Sequence, residues 1–551
     1  MSRTPARASL RNSRRAVWVW IALLLILATA FSLLPSRQAA APLPAAGTVL
    51  RVGNGPEPET LDPHRSEGVS TANILRDLYE GLTSIAPNGE IVPGAAASWE
   101  ISADRLEYVF HLRQDARWSN GDALTAADFV AGLRRSVDPA TGSKYAQILS
   151  PVENAEAVGK GLLPPESLGV EALDEHTLRI RLRGPTPYLP GLLAHQATFP
   201  IHRPSLLQYG KDFARPGRLV GNGAYMLQDW VVQSRVTLRR NPHYWGRAHV
   251  AIDQVVYYPT EDLASELKRY RAGELDCTYT IPMSQARWVR QLFGAELHLA
   301  PYIGSYWYGY NLSRPPFGGN ARLRQALSMA IDRDLIADKL LQNTALPAYG
   351  LVPPHTWNYQ PQQPPWAQWP LQRRIAEAQR LYAAAGYSAA HPLEVELRYN
   401  TQEDHRRIAI LIAAMWQQRL GVRTRLVNEE WKVFLQNRGL KTRTEVFRGG
   451  WIGDYDDASA FANILRSFDS QNNEVYANPD YDALLAQAQQ EPDPARRRAG
   501  LEQAERMMLD DSPILPIFYY ESKHLVKPYV AGWHDNLLDV HYSKDLSLLP
   551  H

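Results

Sequence analysis

Arg448-Gly-Gly-Trp-Ile-Gly-Asp-Tyr-Asp456 sets a guanidinium, an indole and a carboxylate into one short, glycine-rich segment at the end of an apparent strand. The combination suits a ligand that is itself a zwitterion. Arg448 can meet a carboxylate, Asp454 an ammonium and Trp451 an apolar side chain, while Gly449, Gly450 and Gly453 let a ligand's main chain come close to this chain's backbone. A strand end closed by a surface ion pair would use the same residues. The rest of the sequence has to decide between the two.

A chain of 551 residues is too long for one core and implies two to four domains. Hydrophobic residues at 45% and charged residues at 21% give the balance of an ordinary soluble globular protein. The net charge of +2 is spread as interleaved acids and bases, so no basic stripe argues for a nucleic acid. Fifteen Trp and 27 Tyr are many for this length; such rings suit surfaces that hold ligands as well as cores. Cys277 is the only cysteine, which rules out an internal disulfide or a multi-cysteine metal site and reads as a buried structural thiol.

The N-terminus reads as an export address. Arg3, Arg7, Arg11, Arg14 and Arg15 precede an uncharged, mostly apolar run over 16–34, and an Ala/Pro-rich stretch follows over 38–47. That is the order of a secretory signal; the run is also just long enough to stay as a membrane anchor. In both cases the remainder is exported, because the arginines stay on the cytoplasmic side.

Beyond that segment, strand-like and helix-like patterns alternate without an internal repeat, the signature of an α/β fold. Strands are expected at 49–52, 107–112, 235–239 and 393–399, the last two alternating as half-buried strands do. A helix is expected over 73–82. Asn120-Gly121 marks a tight turn, Thr125-Ala-Ala-Asp128 caps a helix, and Asp138-Pro139 stops it. Leu323, Leu327, Ala330, Ile331 and Leu335 share a helical face, as do Ile408, Leu411, Ile412 and Met415. The proline-rich stretches 185–190 and 353–370 read as loops.

The search for catalysis finds no zinc-protease His pair, no nucleophile elbow, no phosphate-binding loop and no dinucleotide fingerprint. No catalytic residue, metal site or cofactor is assigned. A carboxylate pair distant in sequence remains open.

Several blocks in order resemble the bacterial periplasmic oligopeptide-binding proteins, the extracytoplasmic solute-binding proteins of peptide ABC transporters. They are Leu61-Asp-Pro-His64 with Glu67-Gly-Val69 and Arg76-Asp-Leu-Tyr-Glu-Gly-Leu82; Arg117-Trp-Ser-Asn-Gly121 through Asp128-Phe129 to Ser136-Val-Asp-Pro139; Gly221-Asn-Gly-Ala-Tyr225 with Asp229-Trp230 and Asn241-Pro-His-Tyr-Trp245; Arg324-Gln-Ala-Leu327 with Ile331-Asp-Arg333; and Glu430-Trp431. The resemblance runs from about residue 50 to the C-terminus.

It implies a periplasmic-binding-protein fold of two hinged lobes and three α/β domains. Residues 1–47 would be signal or anchor plus linker. Residues 48–80, 204–303 and 522–551 would form a discontinuous domain I, 81–203 domain II and 304–521 domain III. It also implies site roles. Asp454 would receive a peptide's α-ammonium; Arg448, Arg438 and His405 would take C-termini at different peptide lengths. Glu67-Gly68-Val69 and the backbone from Gly450 to Ile452 would hydrogen-bond the ligand's main chain, and Trp431, Trp451 and Tyr145 would line the cavity.

Some relatives join the anchoring segment to an earlier strand by a disulfide; the corresponding positions here are Ile452 and Gly304. The implied function is a monomeric, non-enzymatic periplasmic receptor that delivers short peptides to an inner-membrane ABC permease. Rival readings keep the fold for a murein peptide, a dipeptide, a metal chelate or haem, or make the chain a membrane-anchored hydrolase or a signalling receptor tethered by 16–34.

Overall fold

The strand Val446–Ile452, which carries the Arg448 segment, lies inside a six-stranded sheet. The order is Ala345–Pro347, Ile514–Leu525, Leu297–Tyr310, Val446–Ile452, Glu394–Asn400, Arg423–Glu429. The computed structural model describes residues 47–551. The expected export signal and the anchor at 16–34 lie outside these residues; no described helix is long and apolar enough to cross a membrane. Two further sheets of four strands complete the α/β framework. One orders Val49–Gly53, Gln254–Tyr258, Arg235–Arg240, Tyr225–Val231; the other orders Ala96–Ile101, Glu107–Leu112, Thr177–Arg181, Val170–Ala172.

Leu297–Tyr310 shows how the sequence builds the six-stranded sheet. Side chains alternate across a strand, so Tyr306, Tyr308 and Tyr310 enter one core with Leu323, Leu327, Ile412 and Trp416, while Trp307 on the opposite face joins a different core. The strand pairs antiparallel with Ile514–Leu525, and the register shifts between Pro301 and Ser305 and again between Tyr306 and Trp307. Beyond the breaks the same two strands continue toward the first sheet, where Cys277 bridges Val52 on one side and Val526 on the other. Cys277 is buried and its thiol is pushed up by that burial, which makes it an inert part of the seam.

Local signals decide most element ends. Thr125 and Asp128 form the expected capping box on the helix Ala126–Val137, and Asp138 ends it. Gly121 turns with φ +94°. The helix expected over 73–82 instead spans Val69–Leu78. Gly68, at φ +92°, starts it, and Tyr79 is already extended, because the chain must pass Gly81 against the carbonyl of Leu193. Leu335 does not belong to the face of Leu323 and Leu327. That helix ends at Met329, Asp332 caps a new turn through the amide of Leu335, and Leu335 lies exposed.

The two strands expected to be half-buried are more buried than their alternation implies. Val236, Thr237 and Leu238 are all buried, because Arg235–Arg240 is an inner strand. In Glu394–Asn400 the polar face is covered too: Arg398 lies 2.6 Å from Glu396 and also pairs with Glu429, so the charges neutralise one another.

Candidate ligand-binding site

The six-stranded sheet leaves one strand edge incomplete. Val446–Ile452 pairs along Tyr310–Gly304 on one side, but on the other it meets Glu394–Asn400 only at Val446 and Phe447. From Arg448 to Ile452 the outer edge carries no strand partner among the described residues. It faces a cavity of about 360 Å³, within the range of small-ligand sites. The structure brings every sequence-predicted site residue to this cavity: Asp454, Arg448, Arg438, His405, Trp451, Trp431, Tyr145, Glu67, Gly68, Val69, Gly450 and Ile452 all line it.

One end of the edge is acidic. Asp454 follows Gly453, whose amide is held by the carbonyl of Ile303 at 2.8 Å. Its carboxylate lies 3.3 Å from Nε2 of His195. Nδ1 of His195 accepts the Ala197 amide at 3.2 Å, so the ring proton sits on Nε2 and points at the carboxylate. The ring of Tyr145 lies 4.9 Å from His195 and 6.0 Å from Trp451. Burial, together with the negative charges of Asp454 and Glu67, holds the Tyr145 phenol well above its ordinary range, so it stays a hydroxyl donor. The sequence reading missed His195, which caps the three-residue turn Gln196–Thr198 with no motif around it.

The other end is basic. Arg448 donates to the Tyr520 hydroxyl at 2.8 Å and lies 5.0 Å over the Tyr306 ring. Burial pulls its pKa down, but the Tyr520 and Tyr306 phenols outweigh this and leave it raised. Arg438 is half-buried, 3.7 Å from Glu67. Nε of Arg448, Nε of Arg438, Nδ1 of His405 and Nε1 of Trp451 are buried without a hydrogen-bond partner among the described residues. Unmet buried polar groups cost about 1–3 kcal/mol each, so the cavity favours a ligand that brings acceptors.

His405 differs from the expected base. It is buried rather than solvated, and burial with the nearby Arg448 charge holds its pKa well below 6.5, so the ring is neutral. It can donate one hydrogen bond to a carboxylate but brings no charge of its own.

The glycines also need correction. A Cβ on Gly449 would strike the Trp307 indole, and one on Gly453 would meet Phe461 and Ile303 at 3.1 and 3.3 Å. These two serve internal packing. Only Gly450 stays small toward the site, where a Cβ would crowd Arg448 Nη2 at 3.0 Å and the Tyr520 hydroxyl at 3.2 Å. Gly304 and Ile452 are cross-strand partners, and the Ile452 side chain fills the space above Gly304. An apolar contact therefore joins the two positions at which the family resemblance implies a disulfide in some relatives.

Opposite the open edge, Glu67-Gly68-Val69 leads into the helix Val69–Leu78, whose first amides have no side-chain cap. The Glu67 amide donates to Glu59 at 2.5 Å, and burial raises the Glu59 carboxyl to about 7. Trp431 opens the helix Trp431–Gly439, stacked at 6.2 Å on Phe434.

A chain with two mixed sheets, an antiparallel one and a cavity bounded by an open strand edge, an acid at one end and arginines at the other has the architecture of a periplasmic-type binding protein. Residues 90–473 match the family model of bacterial extracellular solute-binding proteins, family 5. The chain belongs to that family.

It is 40% identical over 502 residues to the periplasmic oligopeptide-binding protein OppA of Escherichia coli, covering 90% of this chain and 92% of the relative. The Haemophilus influenzae OppA structure in complex with RPPGFSPFR superposes with a TM-score of 0.88 at 37% identity, covering 92% and 99%. The murein tripeptide-binding protein MppA of Escherichia coli superposes with a TM-score of 0.89 at 37% identity, with the same two coverages. Against the unliganded open form of MppA, at equal identity and coverages of 92% and 98%, the score falls to 0.67. The conformation described here is not the open one.

Proposed function

We propose that this chain is a periplasmic receptor that captures short peptides by main chain and termini and delivers them to an ABC permease, without turning them over. One observation carries the reading: the unpaired edge from Arg448 to Ile452 runs between Asp454 and a pair of arginines whose buried Nε donors are unmet among the described residues. A peptide laid along that edge completes the sheet as an added strand. Its ammonium meets Asp454 and its carboxylate meets Arg448, Arg438 or neutral His405, according to length. At about 3.3 Å per residue, the six steps from 448 to 454 cover roughly 20 Å, enough for an extended peptide of about five residues or fewer.

The architecture supports a two-lobed closure in which 48–80, 204–303 and 522–551 form domain I, 81–203 domain II and 304–521 domain III. The ladder breaks between Pro301 and Ser305 supply a place for the crossing strands to bend. The protein would act as a monomer, exported by its N-terminal segment.

Calorimetry with free, N-acetylated and C-amidated tri- and tetrapeptides tests the reading, with the murein tripeptide as a parallel arm. Free peptides should bind at least about tenfold more tightly than either blocked form. Equal affinity for all three overturns the two-terminus reading. Preference for the murein tripeptide alone narrows the ligand, and loss of peptide on incubation points to a hydrolase.

A further inference from the structure

The wall of the cavity formed by the C-terminal segment carries a cluster that peptide capture does not use. His524 is the penultimate residue of the strand Ile514–Leu525, and the following segment returns Trp533, Asp539 and His541 against it; all four line the cavity. Nε2 of His524 is 3.0 Å from both carboxylate oxygens of Asp539, and Nε2 of His541 is 3.1 Å from Oδ1. One donor atom from each of the three residues lies within 4.8 Å of the others.

We propose that His524, Asp539 and His541 bind one divalent transition-metal ion, with a remaining coordination position open to the cavity. The orientation of the rings carries this beyond proximity. Nδ1 of His524 is 3.0 Å from the Thr278 carbonyl, which can only accept. That nitrogen is therefore protonated, as is Nε2 while it faces the two Asp539 oxygens, and Nε2 is the atom turned to the cluster. A backbone carbonyl holding the far nitrogen of an imidazole is the arrangement that orients metal-binding histidines. The His541 ring is fixed by a stack on Trp533, 3.7 Å between centroids and 16° between planes, and Trp533 also borders His524 at 5.2 Å. Asp539 is aimed from a turn in which its own amide donates to the Asn536 carbonyl at 3.0 Å, with φ +52°.

A tetrahedral ion bound at about 2.0–2.2 Å separates its ligand atoms by about 3.3 Å, so the nitrogen–oxygen separations of 3.0 and 3.1 Å need to open only slightly. Two imidazoles and one carboxylate select zinc, cobalt, nickel or copper over magnesium or calcium, which prefer all-oxygen sites. The ion replaces the hydrogen bonds to Asp539: His524 gives up its Nε2 proton to solvent, and His541 transfers its ring proton to Nδ1. No redox change is involved. A ligand in the cavity can supply the fourth donor, although occupancy by metal does not depend on the peptide reading.

The test uses the full chain freed of any affinity tag and of metal, titrated with Co²⁺ as the probe and followed by visible d–d absorption and calorimetry. One equivalent should give the intense bands of a low-symmetry, four-coordinate site, and one equivalent of Zn²⁺ should abolish them. His541→Gln and Asp539→Asn should each weaken binding by more than about tenfold, since even partners outside the ligand set are worth 10–100-fold. Circular dichroism and thermal unfolding check each variant; if Asp539→Asn does not fold, His541→Gln decides. Absence of the bands at one equivalent overturns the proposal, and so does a Co²⁺ spectrum that persists unchanged in folded His541→Gln.

Discussion

Replacing Asp454 by Asn removes the charge at the acidic end of the cavity while keeping its shape and an acceptor for Nε2 of His195, 3.3 Å away. Within the cavity this carboxylate faces the Nε2–H of His195, whose Nδ1 accepts the Ala197 amide, so a peptide ammonium entering there displaces no ion pair. A charge-assisted hydrogen bond in a water-poor site is worth about 1.5–3 kcal/mol, which is a loss of roughly 10- to 150-fold in affinity for a free peptide. N-acetylated peptide has already lost that contact. Calorimetry on four pairs, two proteins against two peptides, therefore forms a cycle: Asp454→Asn should cost the free peptide the whole factor and the acetylated one about threefold or less. Equal losses for both peptides would show that Asp454 acts through the shape of the cavity, and the ammonium assignment would fail.

Arg448→Met should mirror this result at the other end, weakening a free tripeptide by roughly tenfold or more while changing its C-terminal amide little; calorimetry on the same pairs reads it. Gly68→Ala has open space around the new methyl, but φ +92° with ψ 154° is backbone that only glycine adopts readily, so stability should fall by about 1–3 kcal/mol in urea unfolding. His64 gives a pH dependence. Its Nδ1 accepts from Arg135 and its Nε2 donates to the Phe199 carbonyl, and burial, then the Arg135 charge, lower its pKa to about 4. The unfolded chain takes up this proton near pH 6.5 and the native one does not, so the stabilisation is complete above 6.5 and is lost as pH falls toward 4. The loss is about 2 kcal/mol by pH 5, and urea titrations should show a shallower acid slope for His64→Gln.

Different physical signals made different parts legible in the sequence. Thr125 with Asp128 fixed a helix start because a capping box is local chemistry, and Arg448 through Asp454 could be joined into one site because a single strand end carries them. What sequence alone missed depends on contacts between distant segments. His195 reaches Asp454 from a turn more than 250 residues earlier, and Gly449 is small because Trp307, on the neighbouring strand, lies across it. The family resemblance places His405 among the residues that take a peptide's C-terminus, yet its charge state is set by burial and by Arg448, which only the folded chain brings together. His524 and His541 lie seventeen residues apart with no recognisable spacing, and only the return of the C-terminal loop makes them neighbours.

The contacts across the cavity also bear on what closes it. Glu67 and Arg438 stand 3.7 Å apart, and Tyr145 and Trp451 meet at a 6.0 Å ring separation without close stacking. A single ion pair at that distance, one partner of which has an unmet Nε, holds the walls together weakly compared with a ligand bridging them. A peptide that occupies Asp454, the open edge and an arginine touches both walls at once, so its affinity is greatest for the closed arrangement. Closure should therefore follow ligand occupancy, as differential affinity requires. Shortening the Glu67 side chain by Glu67→Asp tests this: if the Glu67–Arg438 pair drove closure, the compact fraction seen by small-angle scattering without ligand would fall. If the ligand drives it, that fraction stays low in both proteins and rises on peptide addition in each.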